Sequence, residues 1–241
     1  MTTHNPVNVV RDAPMINPYD GFDHTQYPFD ITAYWDSFGG RQPDNTTDNC
    51  SPAFEKLISE VKPNLILEVG TYKGKSAIHM ANLTKKYEIP AKVVCIDTFL
   101  GSAEHYFCDQ DLKKYHGYPT MYYQFLANVM HTNNQDIIVP IPLDSLSEYR
   151  ILKENGTRAD MIFLDAGHFY ESIALDLKLY WELLKPGGVM LGDDYSPSNW
   201  PDVVRAVHEF FPNDEVHTDD AKWWVYKKPE PVTSVDNSWR W

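Results

Sequence analysis

The sequence predicts an α/β fold in which a mostly parallel β-sheet is covered by helices on both faces. Short, continuously apolar segments alternate with helical patterns from residue 52 to about residue 211, as expected for strands buried between two helical layers. The last two strand-like segments, EVHT at 215–218 and KWWVYKK at 222–228, favour a closing antiparallel pair. Together these segments predict a doubly wound sheet of seven strands.

Several elements carry a local boundary signal. Ser51 followed by Pro52 predicts the start of a helix over 52–61, because serine caps helices and proline is tolerated in the first turn. A helix over 170–184 is expected to stop at the KPGG segment that starts at Lys185. The other predicted helices cover 75–87, 119–131, 145–155 and 200–211. The other predicted strands cover 64–70, 91–97, 136–144, 159–167 and 188–195.

The chain divides into three parts on composition. Residues 51–228 are predicted to form one domain, preceded by an arm at 1–50 and followed by a tail at 229–241. The arm is rich in Pro, Asp, Asn and aromatic residues, and only a short helix near 30–38 is expected in it. Residues 99–118 are predicted to be an irregular excursion. The aromatic part of the arm would suit a lid, and arm and tail would suit a homodimer contact; a free tail is the alternative.

Composition and charge exclude several classes of protein. The formal net charge of −13 disfavours nucleic acid as a partner, because affinity for phosphate strands comes from Lys and Arg. No apolar run approaches the roughly 18 residues of a membrane span, and the start lacks a signal-peptide pattern. A cytoplasmic location is therefore expected. Cys50, Cys95 and Cys108 have no CxxC spacing and indicate neither disulfides nor a zinc site.

Acidic residues follow each of the five predicted parallel strands. Because parallel strands end at the same edge of a sheet, these residues should share one rim, where ligands bind in such folds. At the ends of two strands expected to be neighbours, Asp165 and the pair Asp193–Asp194 would repel one another unless a cation lay between them. Oxygen ligands of this kind suit Mg²⁺. The alternative is that these aspartates cap the following helices.

The first predicted strand leads into a helix through EVGTYKG, residues 68–74. Gly70 and Gly74 leave room above the strand end, and the next helix points its N-terminal amides there; a plain tight turn is the alternative. Asp97, at the end of the next strand, is suited to accept hydrogen bonds from ribose hydroxyls. Tyr72 occupies the place of the second glycine of the dinucleotide fingerprint, which speaks against a nicotinamide cofactor.

Four motifs together resemble the class I S-adenosylmethionine-dependent methyltransferases. They are LILEVGTYKGKSAIHMA, VVCIDT, FLDAGHFYESI and LLKPGGVMLGDDY. More narrowly, they are similar to the metal-dependent O-methyltransferases of the catechol type and of the macrocin or novobiocin sugar type. The resemblance covers roughly residues 52–228. It implies a Rossmann-like doubly wound sheet, S-adenosylmethionine as the cofactor and Mg²⁺ or another divalent cation as the metal.

The resemblance also implies cofactor-binding roles. Glu68 would receive the methionine amino group, directly or through a water molecule. Asp97 would hold the ribose, and Asp144 and Ser145 would lie beside the adenine. The segment from Gly70 to Ser76 would wrap the amino-acid end of the cofactor. The full implied set is Glu68, Gly70, Tyr72, Gly74, Ser76, Asp97, Asp144 and Ser145.

By the same resemblance, Asp165, Asp193 and Asp194 would be the metal ligands. His168 lies three residues after Asp165, where the catechol type carries a catalytic lysine, while Gly167 replaces an acid found in the sugar type. His168 and Asp165 are therefore the candidate catalytic residues, with His168 as the base. Two alternatives remain for the histidine, namely that the metal alone acidifies the hydroxyl, or that His168 is structural.

The predicted reaction is methyl transfer from S-adenosylmethionine to a hydroxyl of a small molecule. A vicinal diol, a catechol or a sugar is the expected acceptor, because two adjacent oxygens can bind one metal ion. Two other functions stay open. One is a nicotinamide-dependent oxidoreductase on a similar fold, and the other is a non-catalytic relative that binds the cofactor or partner subunits.

Overall fold

The computed structural model describes residues 17–32, 47, 50–102 and 112–229. In chain order the strands are β1 (Leu65–Val69), β2 (Lys92–Ile96), β3 (Lys114–Tyr115), β4 (Tyr118–Pro119), β5 (Ile138–Ile141), β6 (Ala159–Leu164), β7 (Leu184–Gly192), β8 (His217–Asp219) and β9 (Lys222–Tyr226). The helices are α1 (Pro52–Val61), α2 (Lys75–Lys86), α3 (Met121–His131), α4 (Ser145–Glu154), α5 (Tyr170–Leu183) and α6 (Pro201–Phe210). None of these helices is long and apolar enough to cross a membrane.

The strand order confirms the predicted doubly wound sheet. Seven strands lie in the order β5-β2-β1-β6-β7-β9-β8, and β3 and β4 form a separate hairpin. The first five strands in that order are parallel, whereas β9 is antiparallel to both β7 and β8. Chain order reverses at β1, because β2 lies on one side of it and β6 on the other. In such sheets a ligand site is expected at the carboxyl ends of the strands near this reversal.

Alternating side chains build one core on each face of the sheet. Ile66 and Cys95 pack on the face covered by α1, α2 and α3. Leu67 and Val69 pack on the opposite face, with α4, α5 and α6. Because successive side chains of a strand point to opposite faces, Glu68 must point toward α2. The strand pattern therefore places this acid inside one core, directly below the turn that follows β1.

The local signals predicted several boundaries correctly. Ser51 caps α1 by accepting a hydrogen bond from the amide of Ala53, and Pro52 is the first helical residue. The face of α2 that packs on the sheet is buried, at Ala77, Met80, Ala81 and Thr84.

Other predictions need correction. α5 ends at Leu183 and β7 begins at Leu184, so the KPGG segment lies inside the strand instead of in a loop before it. A register shift between Ala159 and Met161 of β6 accommodates the extra residues of β7. The predicted excursion at 99–118 contains the β3–β4 hairpin, and its residues 103–111 lie outside the described ranges.

The described part of the arm is fixed to α3 and to the turn after β1. Asn128 donates hydrogen bonds to the carbonyl oxygens of Asp30 (2.7 Å) and Lys73 (2.9 Å) and accepts one from the Asp30 amide (3.0 Å). The Lys73 ammonium also lies 3.1 Å from the Asp30 carboxylate. Residues 30–32 are not helical; the rest of the helix predicted near 30–38, most of the tail and Cys108 lie outside the described ranges. The lid stays a prediction.

Candidate active site

The ends of the five parallel strands form one rim with two distinct parts. We call residues 70–74, between β1 and α2, the glycine turn; Glu68 lies beneath it and Asp97 beside it. We call Asp165, His168, Asp193, Asp194 and Lys222 the carboxylate cluster, which follows β6 and β7. Since β1 and β6 are neighbours, the two parts are adjacent.

Gly70 joins the two parts through the protein's own backbone. Its φ is +82°, and a Cβ atom there would lie 2.1 Å from the carbonyl oxygen of Asp165 and 2.6 Å from the Cα of Ala166. Both contacts are far too short for any side chain. Gly70 is therefore required by the end of β6, independently of any ligand. Gly74, with a φ of +88°, faces a softer neighbour, because its Cβ would lie 3.0 Å from the ring of Phe125.

Asp97 fixes the glycine turn through backbone amides. One carboxylate oxygen accepts hydrogen bonds from the amides of Thr71 (3.0 Å) and Tyr72 (2.9 Å), and the other accepts one from Phe99 (2.7 Å). These bonds offset the unfavourable positive φ of Tyr72, +50°. A carboxylate offers about four acceptor sites, so Asp97 keeps capacity for a further donor. Its predicted contact with a ribose is compatible with this arrangement and stays a prediction.

Glu68 is completely buried beneath the glycine turn, with 0% of its surface exposed. Among the described residues its carboxylate accepts hydrogen bonds from the hydroxyls of Thr71 (2.5 Å) and Ser76 and from the thiol of Cys95 (3.3 Å). Burial raises the pKa of Glu68 to about 7, although the bonds from Ser76 and Thr71 lower it. Thr71 belongs to the segment Gly70 to Ser76 that was predicted to wrap the cofactor, without a role of its own, whereas Thr71 and Cys95 were both absent from the predicted site residues. The register that pairs Glu68 with Cys95 would have revealed the second.

Asp144 and Ser145 lie at the start of α4, at the β5 end of the rim. Asp144 caps the helix by accepting hydrogen bonds from the amide (2.9 Å) and the hydroxyl (2.6 Å) of Ser147, and these bonds lower its pKa. The carbonyl oxygen of Ser145 accepts a hydrogen bond from Tyr180 (2.8 Å). Local contacts therefore explain both residues, and their place beside an adenine stays a prediction.

Within the carboxylate cluster, His168 lies between two aspartates. Its Nε2 atom is 2.7 Å from an oxygen of Asp194 and 3.9 Å from an oxygen of Asp165. One ligand atom from each of these three residues lies within 4.8 Å of the other two. Asp194 reaches His168 from a left-handed backbone conformation, with a φ of +59°. The ring of Trp200 packs against His168 in a tilted arrangement, with ring centroids 4.4 Å apart.

Asp193, the third predicted metal ligand, is instead paired with Lys222. The Lys222 ammonium contacts one oxygen of Asp193, and the amide of Asp194 donates to the other oxygen at 2.8 Å. Lys222 is only 12% exposed in its side chain. Lys222, the first residue of β9, was not predicted as a site residue from the sequence. The antiparallel pairing of Gly192 with Trp223 brings Lys222 opposite Asp193.

The charges of the cluster set the protonation of His168. Burial lowers the pKa of His168, but Asp165 and Asp194 outweigh this effect and raise it to about 10. Burial, together with repulsion from Asp193 and Asp194, raises the pKa of Asp165, while His168 opposes that change. In this arrangement His168 is protonated at neutral pH. The base role predicted for it therefore requires that its electrostatic attraction to the two aspartates be weakened first.

The donor set of the cluster fits a divalent cation. Asp165 and Asp194 offer carboxylate oxygens, the ligand type preferred by Mg²⁺, and His168 offers a nitrogen within the same 4.8 Å. Three carboxyl groups face two basic side chains here, and this acidic balance favours binding of a cation. The glycine turn in turn fits a ligand with a positive group and hydroxyls, because Glu68 and Asp97 are both acceptors.

Comparisons with known proteins agree with the fold and the motifs. The family described as a methyltransferase domain matches residues 67–195, more than half of the chain. Rhamnosyl O-methyltransferase of Mycobacterium tuberculosis is 22% identical over 174 residues, which cover 68% of this chain and 63% of that protein. The chain spans about three fifths of the length of the curated relatives it matches.

Solved structures show the same fold. CalS11, a calicheamicin methyltransferase, matches with a TM-score of 0.53 and 19% identity over 72% of this chain and 77% of that one. The O-methyltransferase from Bacillus cereus in complex with SAH matches with a TM-score of 0.51 and 16% identity over 80% and 96% of the two chains. The chain therefore belongs to the methyltransferase-domain family, and its resemblance to the class I S-adenosylmethionine-dependent methyltransferases is confirmed.

Proposed function

We propose that this protein is an O-methyltransferase that transfers the methyl group of S-adenosylmethionine to a hydroxyl of a sugar or similar small molecule, with a divalent cation at the carboxylate cluster. One observation carries the proposal. The glycine turn and the carboxylate cluster meet at Gly70 and Asp165, whose backbones are in direct contact. This contact supports a cofactor site and a cation site that lie side by side, as in-line transfer between two bound groups requires.

The glycine turn would bind the cofactor through acceptors that are already oriented. Glu68 would favour the positively charged amino group of the methionine part, because a buried carboxylate gains most from an opposite charge. Asp97, held by the amides of the turn, would accept hydrogen bonds from the ribose. Thr71 and Ser76 would keep the Glu68 carboxylate in place through their hydroxyls.

The carboxylate cluster would bind and activate the acceptor. A divalent cation supplies a Lewis acid that lowers the pKa of a coordinated hydroxyl and fixes its position. Asp165 and Asp194 are the carboxylates best placed to hold it. As cation ligands, Asp165 and Asp194 would stabilise the His168 imidazolium less. The neutral imidazole would then be favoured. His168 would then take the acceptor's proton at Nε2, with its ring held by Trp200.

A sugar is the preferred acceptor class for two reasons. Adjacent hydroxyls can occupy two positions around one cation, which favours a diol over a single alcohol. A relative that matches 68% of this chain is named a rhamnosyl O-methyltransferase. This name supports a sugar over a catechol as the methyl acceptor.

Calorimetric titration of S-adenosylmethionine into the purified protein, with Mg²⁺ and then with EDTA, tests the proposal. We expect micromolar binding in both conditions, and methyl transfer to sugars with adjacent hydroxyls, followed by mass spectrometry, only with the cation. Asp97→Ala should abolish cofactor binding. Lack of cofactor binding by the wild-type protein in both conditions would overturn the proposal and direct attention to nicotinamide cofactors or partner proteins.

Asp160→Ala is the matched control for Asp97→Ala. Asp160 also accepts hydrogen bonds from two successive amides, those of Asn64 (2.9 Å) and Leu65 (3.0 Å), but it lies at the opposite end of the sheet. Its loss should destabilise the fold to a similar degree and leave the affinity for S-adenosylmethionine unchanged. Equal loss of affinity in both variants would show that only folding had been measured.

A further inference from the structure

We propose that Lys222 is a positioning residue that withdraws Asp193 from the cation site, so that a divalent cation takes its carboxylate ligands from Asp165 and Asp194. This inference rests on the proposed function and changes the ligand set that the sequence predicts. In this inference Lys222 supplies a fixed positive charge inside the protein, and its ion pair with Asp193 holds it in place.

The Lys222 ammonium is enclosed and cannot readily move to solvent. It contacts the Asp193 carboxylate, and its side chain is 12% exposed. Its Nζ atom also lies 5.7 Å from the ring centroids of both Phe54 and Phe163, within range of a cation–π attraction. These contacts come from α1, from β6 and from the residue that directly follows β7. The lysine is therefore held in place by the fold and by its partner together.

Both oxygens of Asp193 are already in use. One receives the Asp194 amide at 2.8 Å, and the other receives Lys222. Asp165 and Asp194 also feel the charge of Lys222, but the positive group closest to them is His168, whose Nε2 atom lies 3.9 Å and 2.7 Å from their oxygens. A cation could replace the histidine's attraction at those two carboxylates without disturbing Lys222.

Charge repulsion also keeps a divalent cation away from Asp193. A cation bound there would lie close to the Lys222 ammonium, and like charges a few ångströms apart repel strongly in a partly buried site. The structure therefore assigns the three aspartates two tasks. Asp193 pairs with Lys222, and Asp165 and Asp194 are the two carboxyl groups left to bind the cation.

Calorimetric titration of Mn²⁺ into the purified full-length protein tests this assignment. We expect Asp194→Asn to weaken Mn²⁺ binding more than about ten-fold, and Asp193→Asn to weaken it at least about three-fold less than that. Lys222→Met, which removes the internal cation and frees the third carboxylate, should tighten binding by about three- to ten-fold. In the Lys222→Met background, Asp193→Asn should cost more affinity than it does in the wild type.

A purely structural role would give a different pattern. In that case Lys222→Met would weaken Mn²⁺ binding, or Asp193→Asn would be as damaging as Asp194→Asn, and either result in folded protein would overturn the inference. Lys222→Arg keeps the charge and should keep the wild-type Mn²⁺ affinity. If Lys222→Met does not fold, the comparison of Asp193→Asn with Asp194→Asn still decides the question.

Lys185→Met is the matched control. Lys185 forms an ion pair with Asp160 at 2.6 Å at the opposite end of the sheet, so its loss should leave Mn²⁺ affinity unchanged. Failure of the wild-type protein to bind Mn²⁺ would overturn this inference and the cation part of the proposed function. Binding of S-adenosylmethionine in the same samples would then show that the methyltransferase part stands.

Discussion

Glu68 and Asp97 at the glycine turn are held by neutral groups, whereas Asp193 and Asp194 in the carboxylate cluster face Lys222 and His168. Hydroxyl, thiol and amide donors orient a carboxylate and leave its charge in place. Positively charged partners such as Lys222 and His168 neutralise the carboxylate that they contact. A metal ion can compete with such a partner for the same carboxylate. The first arrangement suits a ligand that brings its own positive charge, such as a sulfonium amino acid. The second suits exchange between a protonated histidine and a metal ion.

The two parts of the rim are also mechanically connected. Gly70 packs on the backbone of Asp165 and Ala166, so a displacement of the glycine turn must displace the first residue of the cluster. Substitutions can therefore test this connection. A change at the contact between Gly70 and Asp165 should weaken binding at both parts, whereas a change inside one part should leave binding at the other part intact.

The largest effect is expected for Gly70→Ala. The added methyl group would lie 2.1 Å from the Asp165 oxygen at a φ of +82°, so overpacking and backbone strain together should cost about 4 kcal/mol of unfolding free energy. Chemical denaturation measures this cost, and affinities for S-adenosylmethionine and Mn²⁺ should both fall. Gly156→Ala is the control, because Gly156 has a φ of +68° and nothing within 4 Å. A similar loss in both variants would mean that φ alone, and not the contact, requires Gly70.

The second prediction concerns the pH dependence of stability through Glu68. Its pKa is about 7 in the folded protein and near 4.5 in the unfolded chain, so the folded state binds more protons between these values. Stability should therefore fall as pH rises from about 4.5 to 7, by about 3 kcal/mol. Glu68→Gln should reduce the total fall in stability by this contribution, which denaturant titrations at pH 5 and pH 7.5 will measure in both proteins.

Glu148 provides the comparison for Glu68. It is a carboxylate on α4 with 2% of its surface exposed, and burial also raises its pKa to about 7. Glu148→Gln should reduce the pH dependence in the same direction and leave S-adenosylmethionine binding unchanged, whereas Glu68→Gln should weaken that binding. If neither variant alters the affinity for S-adenosylmethionine, Glu68 is only a buried acid of the core. The glycine turn would then not bind the cofactor through Glu68.

The smallest effect is expected for Asp144→Ala. Loss of the helix cap should cost about 1 kcal/mol of unfolding free energy. Because the Asp144 carboxylate is occupied by Ser147, the affinity for S-adenosylmethionine should fall by less than about ten-fold. Ser147→Ala removes the hydroxyl bond and keeps the carboxylate. A much larger loss of affinity in Asp144→Ala than in Ser147→Ala would assign Asp144 to the cofactor site directly.

The contacts that sequence patterns predicted are those between residues close in the chain. Ser51 and Pro52 set the start of α1, as predicted. The KPGG segment ends α5 as predicted, but the strand predicted to begin at Gly188 begins at Leu184, because Pro and Gly break a helix and also fit an irregular strand. The local signal could not decide between these two structures.

The sequence by itself determined the alternation of strands and helices, and with it the rim on which Glu68, Asp97 and the aspartates after β6 and β7 meet. Parallel strands end at one edge whatever their exact register, so this placement needs only the pattern. Only the tertiary structure decided which group each carboxylate binds. Lys222 reaches Asp193 through the register of an antiparallel strand that follows almost thirty residues later. Strand register depends on packing across the whole sheet, and no local stretch of sequence specifies it.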